Sequence, residues 1–555
     1  MPSRPAAARS ARSIVTDHER SVPAEARRRD GVHYTPPGVA SAVLDAAFAA
    51  LGRTPDSVCD PTCGGGAFLL SVADRLAAVR IDAAEIVRHR LVGQELDGEA
   101  VGVARRALSE WAHEHGARVG ADEVRIHQGD ALAVDPARWP DRPAGGFDLV
   151  VGNPPFLSQL SRRTARDAGR RDLVAGRFGA VGAYTDDAGL FLLVGTELVA
   201  PGGVVALVQP QSLLSARDAD TVRTVLLERS ELVGLWAHGG TPFPDADVHV
   251  CAPVLRRRGS EGAGGAHQVD VVWQLGTQEH RCRSAVPGPG ERWGGLLGPA
   301  MGIPVLPSLE GPPLGSVATA TAGFRDEFYA LRDAIVLGVD PAAPVASCGP
   351  RLVTVGMIDP LELRWDLAPH RVGGRSVVAP RVDLAALAAE APRVGRWVDD
   401  RLRPKVLVAT QTKVVEAVAD PDGSCVPMTP TISVEPILGH LDVWHLVAAL
   451  SAPPVAAMAV RDHLGAGRSA GALRWSARAV LEAPLPVVAT AWDRGAEITR
   501  ALHRPPAADL GAERGSSAAE ADALLEELGR VMTEAHGLAG DHPVVSWWSM
   551  RRPRR

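Results

Sequence analysis

An α/β fold, a mostly parallel sheet covered by helices, is predicted by three features of the first 255 residues. Helix-like and strand-like periods alternate regularly, the strand-like runs are short and apolar, and the first of them breaks into a glycine turn. Residues 38–51, GVASAVLDAAFAAL, space their apolar side chains as a helix does, and SVCDPTCGGGAF is a short strand that breaks into a glycine turn. FLLSVADRLAAVRI then returns to helical spacing, RLVGQELD is a strand, and GEAVGVARRALSEWAHEH is a long helix. Strands EVRIHQGDAL and FDLVVGNPPF follow, then helix GLFLLVGTELVA, strand VVALVQPQS, helix RDADTVRTVLLERS and strand ELVGLWAH. In such a sheet ligands gather at the carboxyl ends of the strands.

Length and composition bound the rest. A chain of 555 residues, 46% hydrophobic, can bury at least two cores, which predicts two to four domains. A formal net charge of −6 excludes a uniformly basic nucleic-acid coat but leaves room for local basic grooves. Six scattered cysteines without paired spacing predict neither a metal site nor a disulfide framework. The first 30 residues read as a flexible basic leader, and no stretch approaches 18 uninterrupted apolar residues, so a cytoplasmic protein with no membrane partner is expected. Residues 31–260 form the first predicted domain, and 261–314 a linker or hairpin-rich connection. A mixed α/β region is expected over 315–490, and a linker, a C-terminal helix and a basic tail over 491–555.

The glycine turn DPTCGGGAF lacks the GxGxxG of nicotinamide folds and the Lys-Ser or Lys-Thr of a phosphate loop. Three successive strands instead end in acids: Asp60, Glu95 and Asp130. Carboxylates repel pyrophosphate but suit an ammonium, ribose hydroxyls and an adenine amine, the groups that S-adenosylmethionine offers. Their plainer reading is helix capping.

Five segments in order, GVHYTPPGVA, DPTCGGGAF, GQELD, QGDAL and GNPPF, resemble the motifs of gamma-class, TaqI-like DNA adenine-N6 methyltransferases over about the first 250 residues. The resemblance implies a Rossmann-like S-adenosylmethionine-dependent methyltransferase domain followed by a target-recognition region. It implies that Thr35 and Pro36 border the methionine end of the cofactor and that Asp60 with Gly64 and Gly66 holds its amino-acid part. Glu95 then takes the ribose hydroxyls and Asp130 meets the adenine, with Pro61, Cys63, Phe68, Leu96, Ala131 and Asn153 completing the cofactor-binding set. Thr62 and Cys63 around a triple glycine, and Phe156 where tyrosine is commoner, are mild departures.

Asn153 is the only asparagine in the chain, and it lies between an apolar strand and two prolines. An exocyclic adenine amine is a poor nucleophile because its lone pair is delocalised into the ring. Two acceptors aimed at its two hydrogens correct this, and the Asn153 side-chain oxygen and the Pro154 carbonyl supply them. Pro154 and Pro155 restrict the backbone so that the acceptors are set before substrate arrives. Phe156 then stacks on the base, and Phe243, in a stretch resembling a later family motif, is the candidate for its other face.

Double-stranded DNA is the expected partner, together with a separate restriction nuclease or defence-system subunits. Arg162, Arg163 and Arg166, directly after the catalytic loop, are candidate DNA contacts, as are Lys405 and Lys413, the only two lysines. The expected activity is site-specific methylation of a flipped-out adenine. A protein glutamine or RNA methyltransferase using the same Asn-Pro-Pro-Phe pocket, and a non-catalytic DNA-binding module, are the competing readings.

Overall fold

The computed structural model describes residues 10–23, 35–156, 168–179, 181, 185–243, 248–259, 268–341, 343–437, 441–463, 473–503 and 518–553. The chain divides into two compact units, the first running to Met301 and the second starting at Gly302.

The first unit is built on one ten-stranded sheet: β1 Val58–Asp60, β2 Leu91–Glu95, β3 Ile126–Gln128, β4 Phe147–Gly152, β5 Val199–Leu207, β6 Gln209–Pro210, β7 Ser230–His238, β8 Val250–Arg257, β9 Gln268–Leu275 and β10 Gln278–Ala285. The strand order is β10-β9-β7-β8-β5-β4-β1-β2-β3, with β6 on β8. From β5 to β3 every pairing is parallel, and β7 also runs parallel to β9. The strand β8 enters antiparallel between β5 and β7. β1 leads outward through β2 and β3, whereas β4 leads the other way through β5, so the order reverses between β1 and β4. That reversal opens a crevice at the carboxyl ends of these two strands.

Helices close over the sheet: α1 Ala11–Ser21, α2 Pro37–Leu51, α3 Ala67–Ala78, α4 Gly98–Glu114, α5 Ala168–Phe178, α6 Asp187–Leu198 and α7 Asp220–Arg229. Their starts follow local chemistry. Pro37 opens α2 at the first helical position, where no amide hydrogen is needed, and Asp97 and Asp186 cap α4 and α6 by accepting from Glu99 N and Ala188 N. Gly52, at φ 70°, ends α2 in the left-handed region. One hydrophobic cluster joins α2, α3 and α4 to the strand faces, with Leu44, Leu69, Leu76 and Leu108 fully buried.

Three expectations change. The leader is not wholly flexible, because Ala11–Ser21 is a helix whose Ala11 and Val15 enter the core, held by Ala11 N to Glu114 Oε1 at 2.9 Å and by an Arg12–Asp74 ion pair. Residues 1–9 and 24–34 lie outside the described residues. The stretch 261–314, expected to be a linker or hairpin-rich connection, does hold a hairpin among its described residues, but β9 and β10 extend the main sheet through β7 rather than only connecting two domains. The strand expected over 123–132 is pared to Ile126–Gln128, leaving Asp130 in the following turn.

The second unit has two four-stranded sheets, one of them ordering Ala318–Ala322, Ile432–Pro436, Lys405–Val408 and Ala417–Asp420. Helices Val443–Ser451, Ala489–Leu502, Ala518–Ala535 and Pro543–Arg551 belong to it. Residues 491–503 and 518–553 are therefore part of this compact body, with Leu525, Leu528, Met532 and Trp548 buried, and the rest of 491–555 lies outside the described residues. Among the described residues no single helix is long and apolar enough to cross a membrane.

Candidate active site

The crevice between β1 and β4 brings together some of the predicted residues, Asp60 and Asn153 first among them. Asp60 ends β1 and is 1% exposed, while Asn153 directly follows β4 and is half-buried. The two are neighbours through Gly152: a Cβ there would fall 2.4 Å from Asp60 Oδ1, so only glycine fits before Asn153. That requirement escaped the sequence reading, although a glycine closing a valine-rich strand is the usual sign of close approach.

The glycine turn is fixed by backbone bonds. Cys63 N donates to Gln94 O at 2.9 Å and Gly66 N to Cys63 O at 2.8 Å, with Gly64 at φ 53° and Gly66 at φ 96°. Such angles favour residues without a Cβ. Behind the turn, a Cβ on Gly65 would lie 3.3 Å from both Val15 Cγ1 of α1 and Val103 Cγ1 of α4. Nothing in the polar α1 sequence signalled this backing.

Asp60 Oδ1 accepts from Thr62 N at 3.0 Å. Burial pushes the Asp60 carboxyl up to about 8; the Thr62 amide works against that rise, and the Glu95 charge adds to it. Glu95 Oε2 accepts from Gly64 N at 2.9 Å and Oε1 from Asp97 N at 3.0 Å. Each of its oxygens keeps a second lone-pair direction for a hydroxyl. Asp130 Oδ1 accepts from Leu132 N at 3.0 Å in its turn. Asp97, not these three acids, caps α4.

Thr35 and Pro36 are half-buried at the start of α2. Pro61, Ala131 and Phe68 are buried, Phe68 within the core, and Leu96 is 63% exposed. Cys63 lodges against Gly93, where a Cβ would fall 2.9 Å from its sulfur, and burial pushes its thiol well up. Thr62 Oγ1, missed from sequence, is buried with no hydrogen-bond partner among the described residues.

Pro154 is buried and Pro155 and Phe156 are half-buried beyond Asn153. The Phe156 and Phe243 rings stand edge to face, centroids 6.1 Å apart at 87°, with Phe243 3% exposed. Arg162, Arg163 and Arg166 lie outside the described residues. Arg177, from the same arginine-rich stretch, is engaged internally, on Leu132 O at 2.5 Å and Glu197 Oε2 at 3.0 Å. Lys413 is exposed, but Lys405 is 0% exposed and ion-paired with Asp420, so it cannot reach phosphate.

Residues 20–280 match the family profile described as N-6 DNA Methylase. This unit carries a methyltransferase fold. The chain is 24% identical over 230 residues to the type II methyltransferase M.BanIII of Aneurinibacillus aneurinilyticus, covering 39% of this chain and 36% of that protein. It is 30% identical over 115 residues to the release factor glutamine methyltransferase of Chlorobaculum tepidum, covering 21% and 32%. The chain thus spans about a third of the length of the curated relatives it matches. Among solved structures, the type IIL restriction-modification enzyme MmeI in complex with DNA is similar over 98% of this chain and 81% of that one, at 14% identity and a TM-score of 0.63. That likeness is one of fold, and it extends beyond the methyltransferase unit to the second unit.

The residues of the methyltransferase unit fit S-adenosylmethionine. Asp60, Glu95 and Asp130 offer negative charge and acceptors to a cation, a diol and an amine, Thr62 Oγ1 offers a buried hydroxyl, and the glycines leave the turn open to close approach. A pH dependence follows from Asp60. Because its folded carboxyl titrates near 8, above its ordinary 3.8, the empty protein loses stability as pH rises from about 4 toward 8 and is level beyond. Cofactor affinity moves the opposite way, since a cationic ligand needs Asp60 ionised. Affinity is expected to rise by up to about tenfold per pH unit below 8 and then flatten. Calorimetric titration from pH 6 to 9 tests this: Asp60→Asn should bind weakly with a flat profile, and an equally steep profile in that variant would refute the assignment.

Proposed function

We propose that this chain methylates the N6 amine of an adenine flipped out of double-stranded DNA, using S-adenosylmethionine, as the modification component of a restriction-modification or phage-defence system. The observation that carries this reading is the meeting of Asp60 and Asn153 across Gly152 at the strand-order reversal. A cofactor held by Asp60, Glu95 and the glycine turn then lies next to the polar corner that grips the amine. When bound, the cofactor supplies a methyl group activated on a sulfonium.

The chain's own residues do the rest. Asn153 Oδ1 and the Pro154 carbonyl accept the two amine hydrogens and draw the nitrogen toward a tetrahedral shape. The proton leaves after transfer, so no general base is required. Thr35, Pro36, Pro61, Cys63, Phe68, Leu96, Asp130 and Ala131 complete the proposed cofactor surround. Phe156 stacks on the base and Phe243 on its other face, which requires their edge-to-face pair to open. That pair contributes about 0.5–1.5 kcal/mol, whereas stacking a base on an aromatic ring contributes about 1–3 kcal/mol, so the exchange favours the base. Unstacking the adenine from its duplex costs a few kcal/mol more and is offset by contacts to the flanking DNA. The M.BanIII and MmeI likenesses support DNA as substrate, and we assign target recognition to the second unit over residues 315–490.

A second reading, methylation of a protein glutamine amide, is favoured by the release-factor methyltransferase match. An amide nitrogen with two hydrogens fits the same pair of acceptors. Incubation with cofactor and mixed-sequence duplex DNA, then sequencing that detects N6-methyladenine in context, separates the two. Methylated adenine at one recurring sequence is expected; unmodified DNA alongside methylated release factor would overturn the DNA reading.

A further inference from the structure

On the second unit, helix Arg325–Asp333 lies beside a hairpin of strands His370–Val372 and Arg375–Val377. The helix has two distinct sides. Glu327 and Leu331 are fully buried, while Arg325, Tyr329 and Arg332 fall on another side at i, i+4 and i+7. Tyr329 is 43% exposed and carries both guanidiniums on its ring, Arg325 at 5.8 Å and Arg332 at 5.2 Å from the centroid. Stacking of this kind holds the arginines in place without itself neutralising them, and Arg332 is in addition ion-paired with Asp333.

The hairpin meets the helix at its tip. It reverses through Gly373 and Gly374, at φ 56° and 85°, the two-residue turn that suits strand twist. A Cβ on Gly373 would lie 2.6 Å from Arg332 Cγ, so the tip rests on the Arg332 stem. Val372 and Val377 are buried in the core, while Arg371, Arg375 and Ser376 are exposed. Arg371 and Arg375 make no hydrogen bond or close ion pair among the described residues, although the Asp333 carboxylate lies within electrostatic reach of Arg375. Asp333 is engaged by Arg332 through two bonds of 2.8 and 3.0 Å. In the hairpin register Arg371 is opposite Ser376 and Arg375 is opposite Val372, so the two arginines leave opposite sides of the ribbon; with Arg325 and Arg332 they set four arginines about the hairpin against two exposed acids, Asp326 and Asp333, in a chain whose overall charge is −6.

We infer that the surface formed by Arg325, Tyr329, Arg332 and both sides of the Arg371–Arg375 hairpin holds the phosphate backbone of double-stranded DNA. Planar guanidiniums match phosphate oxygens in pairs, and a two-stranded ribbon is narrow enough to enter a major groove beside the phosphates it contacts. The inference rests on the DNA-methylating reading and names the surface of the second unit that meets the substrate.

The test compares the 555-residue chain with Arg371→Ala/Arg375→Ala and Arg371→Lys/Arg375→Lys, using a fluorescein-labelled mixed-sequence duplex and polarisation across a sodium chloride series. Each lost phosphate contact should make the slope of log affinity on log salt shallower by roughly 0.9, so the alanine pair should lose roughly 2. The lysine pair, which keeps both charges, should restore most of that slope. Equal thermal midpoints and equal cofactor affinity in all three confirm intact folding. Alanine variants that match a DNA-binding wild type in affinity and slope overturn this surface alone, whereas a wild type that binds no duplex overturns the DNA reading beneath it.

Discussion

Asn153→Ala is expected to lower methyl transfer by about 10²- to 10³-fold while cofactor affinity stays within about twofold. The size follows from what the side chain does. Its oxygen is useful only once the amine begins to pyramidalise, so it belongs to interactions stronger in the transition state than in the ground state, and its loss falls on kcat more than on KM. The Pro154 carbonyl persists in the variant and keeps half of the acceptor pair, which is why activity falls without vanishing. Cofactor binding is spared because Asp60 and Glu95 are held by the backbone amides of Thr62, Gly64 and Asp97, which the substitution leaves in place. Single-turnover transfer of labelled methyl groups, with calorimetric titration of the cofactor, measures both quantities. Near wild-type transfer would remove Asn153 from the chemistry; a parallel loss of cofactor affinity would make it a structural part of the turn.

The crevice was legible in the sequence because its chemistry sits where strands end. Asp60, Glu95 and Asn153 each follow a short apolar run, and parallel strands deliver their carboxyl ends to one edge, so three separated motifs become neighbours without any contact being known. What the sequence hid depends on partners far along the chain. The α1 segment ARSIVTDHERS buries only Ala11 and Val15, too little apolar periodicity to stand out from a basic leader, and it is helical because α4 and the glycine turn receive it. The hairpin of β9 and β10 sits near a Gly- and Pro-rich stretch that reads as a connection, and only β7 lying beside β9 makes it part of the sheet. Phe243 was expected at the base pocket; it meets Phe156 at ring distance but is also packed into the core, and both follow from its place before β8.

Lys405→Ala should destabilise the second unit by about 3–5 kcal/mol, the usual cost of breaking a buried ion pair from one side. Sequence alone left Lys405 as a possible phosphate contact, but its side chain is 0% exposed and faces Asp420, 4% exposed, across antiparallel strands in direct register. Removing the ammonium strands a carboxylate that also organises the next turn, accepting from Ser424 N and Cys425 N at 3.0 Å each. Asp420 cannot simply be replaced by an apolar residue in compensation, because those two amides would then lose their acceptor at about 1–3 kcal/mol apiece. Lys405→Met with Asp420→Asn removes both charges and keeps an acceptor oxygen for one of the two amides, which bond different carboxylate oxygens, so it should be more stable than Lys405→Ala despite carrying one more change. Lys413→Ala, at an exposed position, should stay within about 0.5 kcal/mol of the wild type. Urea denaturation of the four proteins measures these differences. A phosphate contact would give the reverse pattern: Lys405→Ala as stable as the wild type but with a shallower salt dependence of DNA binding. Because a unit of this size is stabilised by only about 5–15 kcal/mol in all, the two outcomes lie far enough apart for a single denaturation curve to decide.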